Sequence, residues 1–194
     1  MGPGPNTFSP SNVFVNSTTG DLSLLLRADA ATGQWGCAEV TLDHSLGYGT
    51  YSWGLKASSV QGFDENVVLG LFTYESDSRE VDIELSAWGG AFPGANADFA
   101  VQPYTVKRFA ASASGAPLLR ASYTWAPGRV DFTCGAVAWS HTGADVPPPG
   151  GERVHMNLWL FQGRAPVSGR GAEVLLANFS FSPLQSAGAP AYLN

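Results

Sequence analysis

The sequence predicts an all-β protein, a sandwich of two packed antiparallel sheets. Short runs of alternating or β-branched residues recur along its 194 residues, and none sustains the 3.6-residue apolar period of a helix. Turn-forming clusters drawn from 23 Gly and 13 Pro separate the runs. Charged residues are only 13% of the chain and hydrophobic ones 44%, so Ser, Thr, Asn, Gln and Gly must cover a well-supplied core.

The elements follow in order. Strands are expected at 13–15 and 22–27, on either side of the turn signal Thr19, Gly20, Asp21. Strands at 38–42 and 49–56 flank Leu46 and Gly47. Residues 67–74 form a nearly continuous apolar run, as a strand covered on both faces does. A strand at 80–86 alternates acids with aliphatics, and the Gly, Ala and Pro residues after Trp88 read as a loop on the rim. A strand at 98–103 comes next. Strands at 118–125 and 129–133 face each other across Pro127 and Gly128. Strands at 136–141, 153–160 and 172–181 complete the set, with Pro147 to Gly151 marking the turn before 153. No repeat or linker divides the chain, so 1–194 is read as one domain, with its core at about 6–182 and a tail at 183–194.

Charge excludes some partners. The net charge is −6 with a pI near 4.9, which disfavours nucleic acid and an anionic membrane surface. A neutral sugar polymer would not be repelled. Aromatic residues are 12% of the chain, and such rings both fill sandwich cores and stack on sugars. Cys37 and Cys134 are compatible with one disulfide or with two buried thiols. No apolar span is long enough for a transmembrane helix, and the first residues lack the basic and apolar regions of a signal peptide. The expected location is extracellular, with any signal peptide outside this sequence, and the expected state is a monomer.

The most informative stretch is Arg79-Glu80-Val81-Asp82-Ile83-Glu84-Leu85. Side chains alternate faces along a strand, so Glu80, Asp82 and Glu84 share one face while Val81, Ile83 and Leu85 share the other. Three like charges in a row destabilise a strand, so their presence asks for a gain elsewhere. Two carboxylates flanking a glycosidic bond are what glycoside hydrolysis requires. Asp82 between them would raise the proton affinity of its neighbours or orient one of them. A cation site, or an acidic strand without chemistry, is the competing reading of these residues alone.

The strand Glu80-Val81-Asp82-Ile83-Glu84 resembles the signature of glycoside hydrolase family 16, which holds licheninases, laminarinases and xyloglucan transglycosylases. Its form, with no extra residue before the last Glu, resembles licheninases more than laminarinases. Residues 46–51 resemble the family's Y-G-x-Y strand, 66–74 the strand leading to the acids, 123–132 a W-x-P-G hairpin, and 155–159 an N-L-W strand. The resemblance implies a concanavalin A-like jelly roll with a concave cleft. It also implies an endo-acting retaining hydrolase of a β-linked glucan or related polysaccharide, with Glu80 as nucleophile, Glu84 as general acid/base and Asp82 as assisting acid. A transglycosylase and a non-catalytic carbohydrate-binding domain are the alternatives. By the same resemblance Asn157 and Trp159 line the glycone side, Gln102 and Tyr104 a neighbouring cleft strand, and Phe72 faces the cleft. No cofactor is required, and a structural Ca²⁺ held largely by backbone is compatible.

Two departures bear on specificity. Licheninases resemble one another in an acid and an Arg following Y-G-x-Y, where this chain has Ser52 and Gly54. They also carry a Trp shortly before the first Glu, where this chain has Asp77, Ser78 and Arg79. Altered glycone subsites are implied, with Arg79 or Trp88 as replacement contacts. His44, His141 and His155 show no metal-ligand spacing, so no metal site is expected from side chains. His155 shares a strand with Asn157, and a satisfied structural role is favoured for it over a cleft role.

Overall fold

The computed structural model describes residues 4–103, 105–113 and 115–185. Its strands are β1 (Val13–Val15), β2 (Leu22–Ala28), β3 (Trp35–Gly36), β4 (Ala38–Thr41), β5 (Gly49–Lys56), β6 (Val67–Ser76) and β7 (Arg79–Ser86). They continue with β8 (Ala97–Val101), β9 (Thr105–Phe109), β10 (Leu118–Ala126), β11 (Arg129–Cys134), β12 (Val137–Thr142), β13 (Arg153–Leu160) and β14 (Ala172–Pro183). An eight-stranded sheet runs β1-β2-β14-β5-β10-β11-β12 with β3 beside β2, and a six-stranded sheet runs β4-β13-β6-β7-β8-β9. Neighbouring strands are antiparallel throughout the six-stranded sheet. The architecture is the expected jelly-roll sandwich.

The two inner faces meet in an aromatic core. Tyr51, Trp53 and Leu55 of β5, Tyr123 and Trp125 of β10 and Phe132 of β11 come from the eight-stranded sheet. Leu69 and Leu71 of β6, Val81, Ile83 and Leu85 of β7 and Phe99 of β8 come from the other. Phe99 stacks on Phe132 across the sheets at 5.0 Å between centroids. Two polar tips inside this core find partners, the Trp125 indole donating to the Pro147 carbonyl at 2.9 Å and the Tyr123 hydroxyl to Thr73 at 3.1 Å, while the Trp53 indole N–H has none among the described residues. β6 is buried from Val67 to Thr73 because its inner face meets the core and its outer face forms the floor of a cleft.

Several expectations need correction. β9 was not expected, because Lys107 and Arg108 interrupt its apolar pattern; it is an edge strand, where charge blunts pairing with other chains. The strand expected at 98–103 begins at Ala97 and ends at Val101, since Pro103 has no N–H to give a ladder. A single helical turn, α1 (Ala57–Val60), follows β5. β14 continues to Pro183, one residue past the expected core boundary. Cys37 and Cys134 are both free and buried. Residues 186–194 of the expected tail lie outside the described residues.

Candidate active site

The alternation of β7 divides its side chains as its sequence requires. Val81, Ile83 and Leu85 enter the core, and Glu80, Asp82 and Glu84 emerge on the outer face of the six-stranded sheet. All three line a cleft of about 470 Å³. Antiparallel register then draws residues of six strands into transverse rows. One row reads Glu39, Asn157, Gly70, Glu84, Asp98, Arg108 from β4 to β9. The next reads Thr41, His155, Phe72, Asp82, Ala100, Val106. A third holds Tyr74 and Glu80, with the Gln102 amide N–H donating to the Glu80 carbonyl at 3.0 Å. The cleft therefore runs across the strands, and β7 crosses it with its three acids.

Burial and mutual repulsion grade the three carboxyls. Asp82 is only 4% exposed. Burial first, then the charges of Glu80 and Glu84, hold its proton well above the usual carboxylate range, and it donates that proton to Glu80. Burial raises Glu80 to about 7, with the hydrogen bond from Asp82 opposing and Asp77 adding to the rise. Glu84 is raised further, to about 8, by burial and then by Glu80 and Asp98. Of the two glutamates Glu80 gives up its proton first, with the hydrogen bond from Asp82 favouring its charged form. Two carboxyls of unequal proton affinity on one strand are an arrangement that can offer both an attacking group and a proton donor.

The walls supply polar and aromatic contacts. Asn157 is 2% exposed, and its Oδ1 has no hydrogen-bond partner among the described residues. It stands beside Gly70, where a Cβ would lie 2.5 Å from that oxygen, so the glycine makes room for the amide next to Glu84. Trp88 adopts φ of 50°, a strained value for a bulky residue, and its buried indole N–H also lacks a partner. It meets Trp159 edge-to-face at 6.2 Å and Phe161 at 5.5 Å. The Phe72 ring stacks on His155 at 5.0 Å.

Of the residues singled out in the sequence, Glu80, Asp82, Glu84, Phe72, Trp88, Gln102, Asn157 and Trp159 all line this cleft. Tyr104 lies outside the described residues. His155 both lines the cleft and is held, its Nδ1 lying 2.9 Å from Glu39 and 3.1 Å from Thr41. Glu39, Tyr74 and Asp77 line it as well and were missed. Mid-strand alternation marks Glu39 as belonging to a polar face, but only the pairing of β4 with β13 says which face that is.

Two readings of the departures fall. Ser52 and Gly54 alternate with the core residues Tyr51, Trp53 and Leu55, so they sit on the outer face of the eight-stranded sheet, away from the cleft. Arg79 donates to Glu75 at 2.5 Å and to the Pro148 carbonyl at 2.8 Å, and it is not among the cleft residues. Among the described residues no three His, Cys, Asp or Glu side chains assemble a metal-ligand group. No helix is long and apolar enough to cross a membrane among the described residues.

No protein-family model matches the sequence, and no curated protein matches it. Solved structures do resemble the fold. A β-glucanase of Bacillus licheniformis aligns with a TM-score of 0.71 at 18% identity, over 94% of this chain and 87% of that one. A β-1,3-1,4-glucanase (lichenase) from a mouse hindgut metagenome aligns with a TM-score of 0.69 at 18% identity, over 95% and 90%. A pseudo β-1,3-glucanase of Mycobacterium tuberculosis aligns with a TM-score of 0.66 at 16% identity, over 89% and 79%. The shared fold is that of glucanases, and it is occupied by at least one protein described as a pseudo-enzyme, so function has to be argued from the site.

Proposed function

We propose that the chain is a divergent member of glycoside hydrolase family 16, an endo-acting enzyme that cleaves a β-linked glucan-like polysaccharide with retention of configuration. The observation that carries this reading is geometric: Glu80, Asp82 and Glu84 emerge from one face of β7 into a single cleft, beside Asn157 and two tryptophans.

The reaction is a double displacement. The Glu80 carboxylate attacks the anomeric carbon while Glu84 gives its proton to the departing glycosidic oxygen. A glycosyl ester on Glu80 results, and Glu84 is left as a carboxylate. Glu84 then takes a proton from water, the hydroxyl adds to the anomeric carbon, and the ester bond to Glu80 breaks. Asp82 acts through Glu80: its hydrogen bond fixes the nucleophile's rotamer and eases the return of negative charge. Asn157 and Trp88 offer an acceptor and a donor that lack protein partners, suited to sugar hydroxyls. A cleft lined by four neighbouring strands, β4, β13, β6 and β7, suits an internal stretch of polymer.

Reducing-sugar release from mixed-linkage glucan, laminarin, xyloglucan, agar and carrageenan tests the reading, with Glu80→Gln as control. Release by the wild type and none by the variant is the expected result. Equal signals on every polymer, with binding retained, would instead indicate a non-catalytic carbohydrate-binding protein. Longer oligosaccharides formed at high acceptor concentration would indicate a transglycosylase.

A further inference from the structure

The hairpin that joins β6 to β7 carries a carboxylate to which the double displacement gives no role. Tyr74 stands opposite Glu80, and the register then shifts so that Ser76 stands opposite Arg79. The extra residue is Glu75, a bulge of the kind that re-aims the side chains after it. Arg79 precedes Glu80 on β7 and so faces away from the cleft, where it donates to Glu75 at 2.5 Å and to the Pro148 carbonyl at 2.8 Å. Gly150 makes room for this clamp, since a Cβ there would lie 2.6 Å from Arg79 Nη2 and 2.7 Å from Glu75 Oε2. The hairpin is pinned on that side, and on the other Asp77 at its tip lines the cleft. The Tyr74 hydroxyl donates to Asp77 Oδ1 at 2.8 Å. Tyr74 is itself set by its neighbours, its ring meeting His155 edge-on at 6.0 Å and Phe72 at 6.5 Å.

We propose that Asp77 is a positioning residue of this site: held at the cleft by Tyr74, it acts through Glu80 and sets the acid edge of the pH range in which the enzyme works. The inference rests on the hydrolase reading above. The titratable groups that share the cleft with Glu80 are Asp82 and Glu84 on its own strand, Tyr74 and Asp77 on the β6 side, and Glu39 and His155 on β4 and β13. On the opposite side β8 brings Asp98 level with Glu84. A negative charge beside a carboxyl disfavours its ionisation. Burial raises Glu80 first; the hydrogen bond from Asp82 then favours its charged form, and the Asp77 charge opposes it. Glu84 is raised by burial, Glu80 and Asp98. Asp77 therefore bears on the group that must ionise, while the proton donor answers to other charges. Because Asp77 is exposed, salt screens its effect.

The test is the pH profile of kcat/KM, at low and at high salt, on the polymer that the wild type cleaves best. Asp77→Asn removes the charge and keeps an acceptor for Tyr74. Its acid limb should move to lower pH by about 0.5 unit, so that below the limb it keeps about threefold more of its own plateau activity than the wild type does. Its alkaline limb should stay in place. Asp77→Glu, which keeps the charge, should leave the acid limb nearer to that of the wild type. Raising the salt from about 0.01 M to about 1 M should move the wild-type acid limb in the same direction and shift that of Asp77→Asn less. A lost packing or sugar contact would lower the plateau and leave both limbs where they are, which separates this role from a structural one. An acid limb of Asp77→Asn within about 0.2 unit of the wild type at low salt, or both limbs moving together, would overturn the assignment. A wild type that turns over no polymer would instead remove the hydrolase reading, and this inference with it.

Discussion

Glu84 retains its proton to a higher pH than any ordinary glutamate because burial, Glu80 and Asp98 all oppose its charge. In the proposed mechanism, activity needs pH high enough to ionise Glu80, near 7, and low enough to keep Glu84 protonated, near 8. The kcat/KM profile should be a narrow bell between those limits, and Glu84→Gln should remove its alkaline limb. The same variant should lose about 10²–10⁴-fold in kcat/KM on polymer, with a much smaller loss in the first step on an aryl glycoside whose leaving group departs without a proton. Stability carries a linked sign. Glu80, Asp82 and Glu84 all bind protons more tightly folded than unfolded. For the two glutamates that contribution is full below the ordinary value of 4.5 and is lost as pH rises through about 7 and about 8; Asp82 acts in the same direction from an ordinary value of 3.8. Thermal melts should show wild-type Tm falling over that window, and Glu84→Gln should flatten the fall.

At the scale of elements, β7 works because its two faces obey different demands. Its inward trio anchors it: Ile83→Ala should cost about 2–5 kcal/mol in urea unfolding. Its neighbour β6 carries Gly70 where a side chain would strike Asn157. Gly70→Ala should push the Asn157 amide out of line and lower kcat/KM on polymer, with about 1–3 kcal/mol lost in stability from crowding. The acids of β7 were legible because period-two alternation is local and three like charges contradict ordinary strand chemistry. Asn157 and Trp159 were legible through their strand's resemblance to known enzymes. Glu39 was not, since its place in the cleft depends on β4 pairing with β13, more than a hundred residues away. Arg108 was not, because β9 mixes Val106, Lys107 and Arg108 without the alternation that marks a strand. The misreading of Ser52 and Gly54 has the same origin: a strand's polar face is visible locally, but the sheet it joins is not.

Across the whole molecule, two sheets enclose an aromatic core and leave one outer face concave. Both cysteines belong to the enclosed part, and burial pushes the Cys37 thiol up to about 11 and the Cys134 thiol up to about 12. Neither should react with a disulfide reagent at pH 8 until the protein unfolds, and added reductant should leave Tm unchanged. The sandwich as a whole was legible from turn spacing and composition, because a low-charge chain without helical periods has few other ways to bury its apolar residues. What the sandwich achieves is to hold one ribbon of acids rigidly across an open groove. That claim is tested most directly by trapping the reaction midway. The protein would be incubated with a 2-deoxy-2-fluoro β-oligoglucoside bearing a good leaving group, then digested and fragmented in a mass spectrometer. A single glycosyl adduct on Glu80, absent from Glu80→Gln, is predicted. An adduct on Glu84, or hydrolysis that releases the α-anomer first with no adduct at all, would contradict the account.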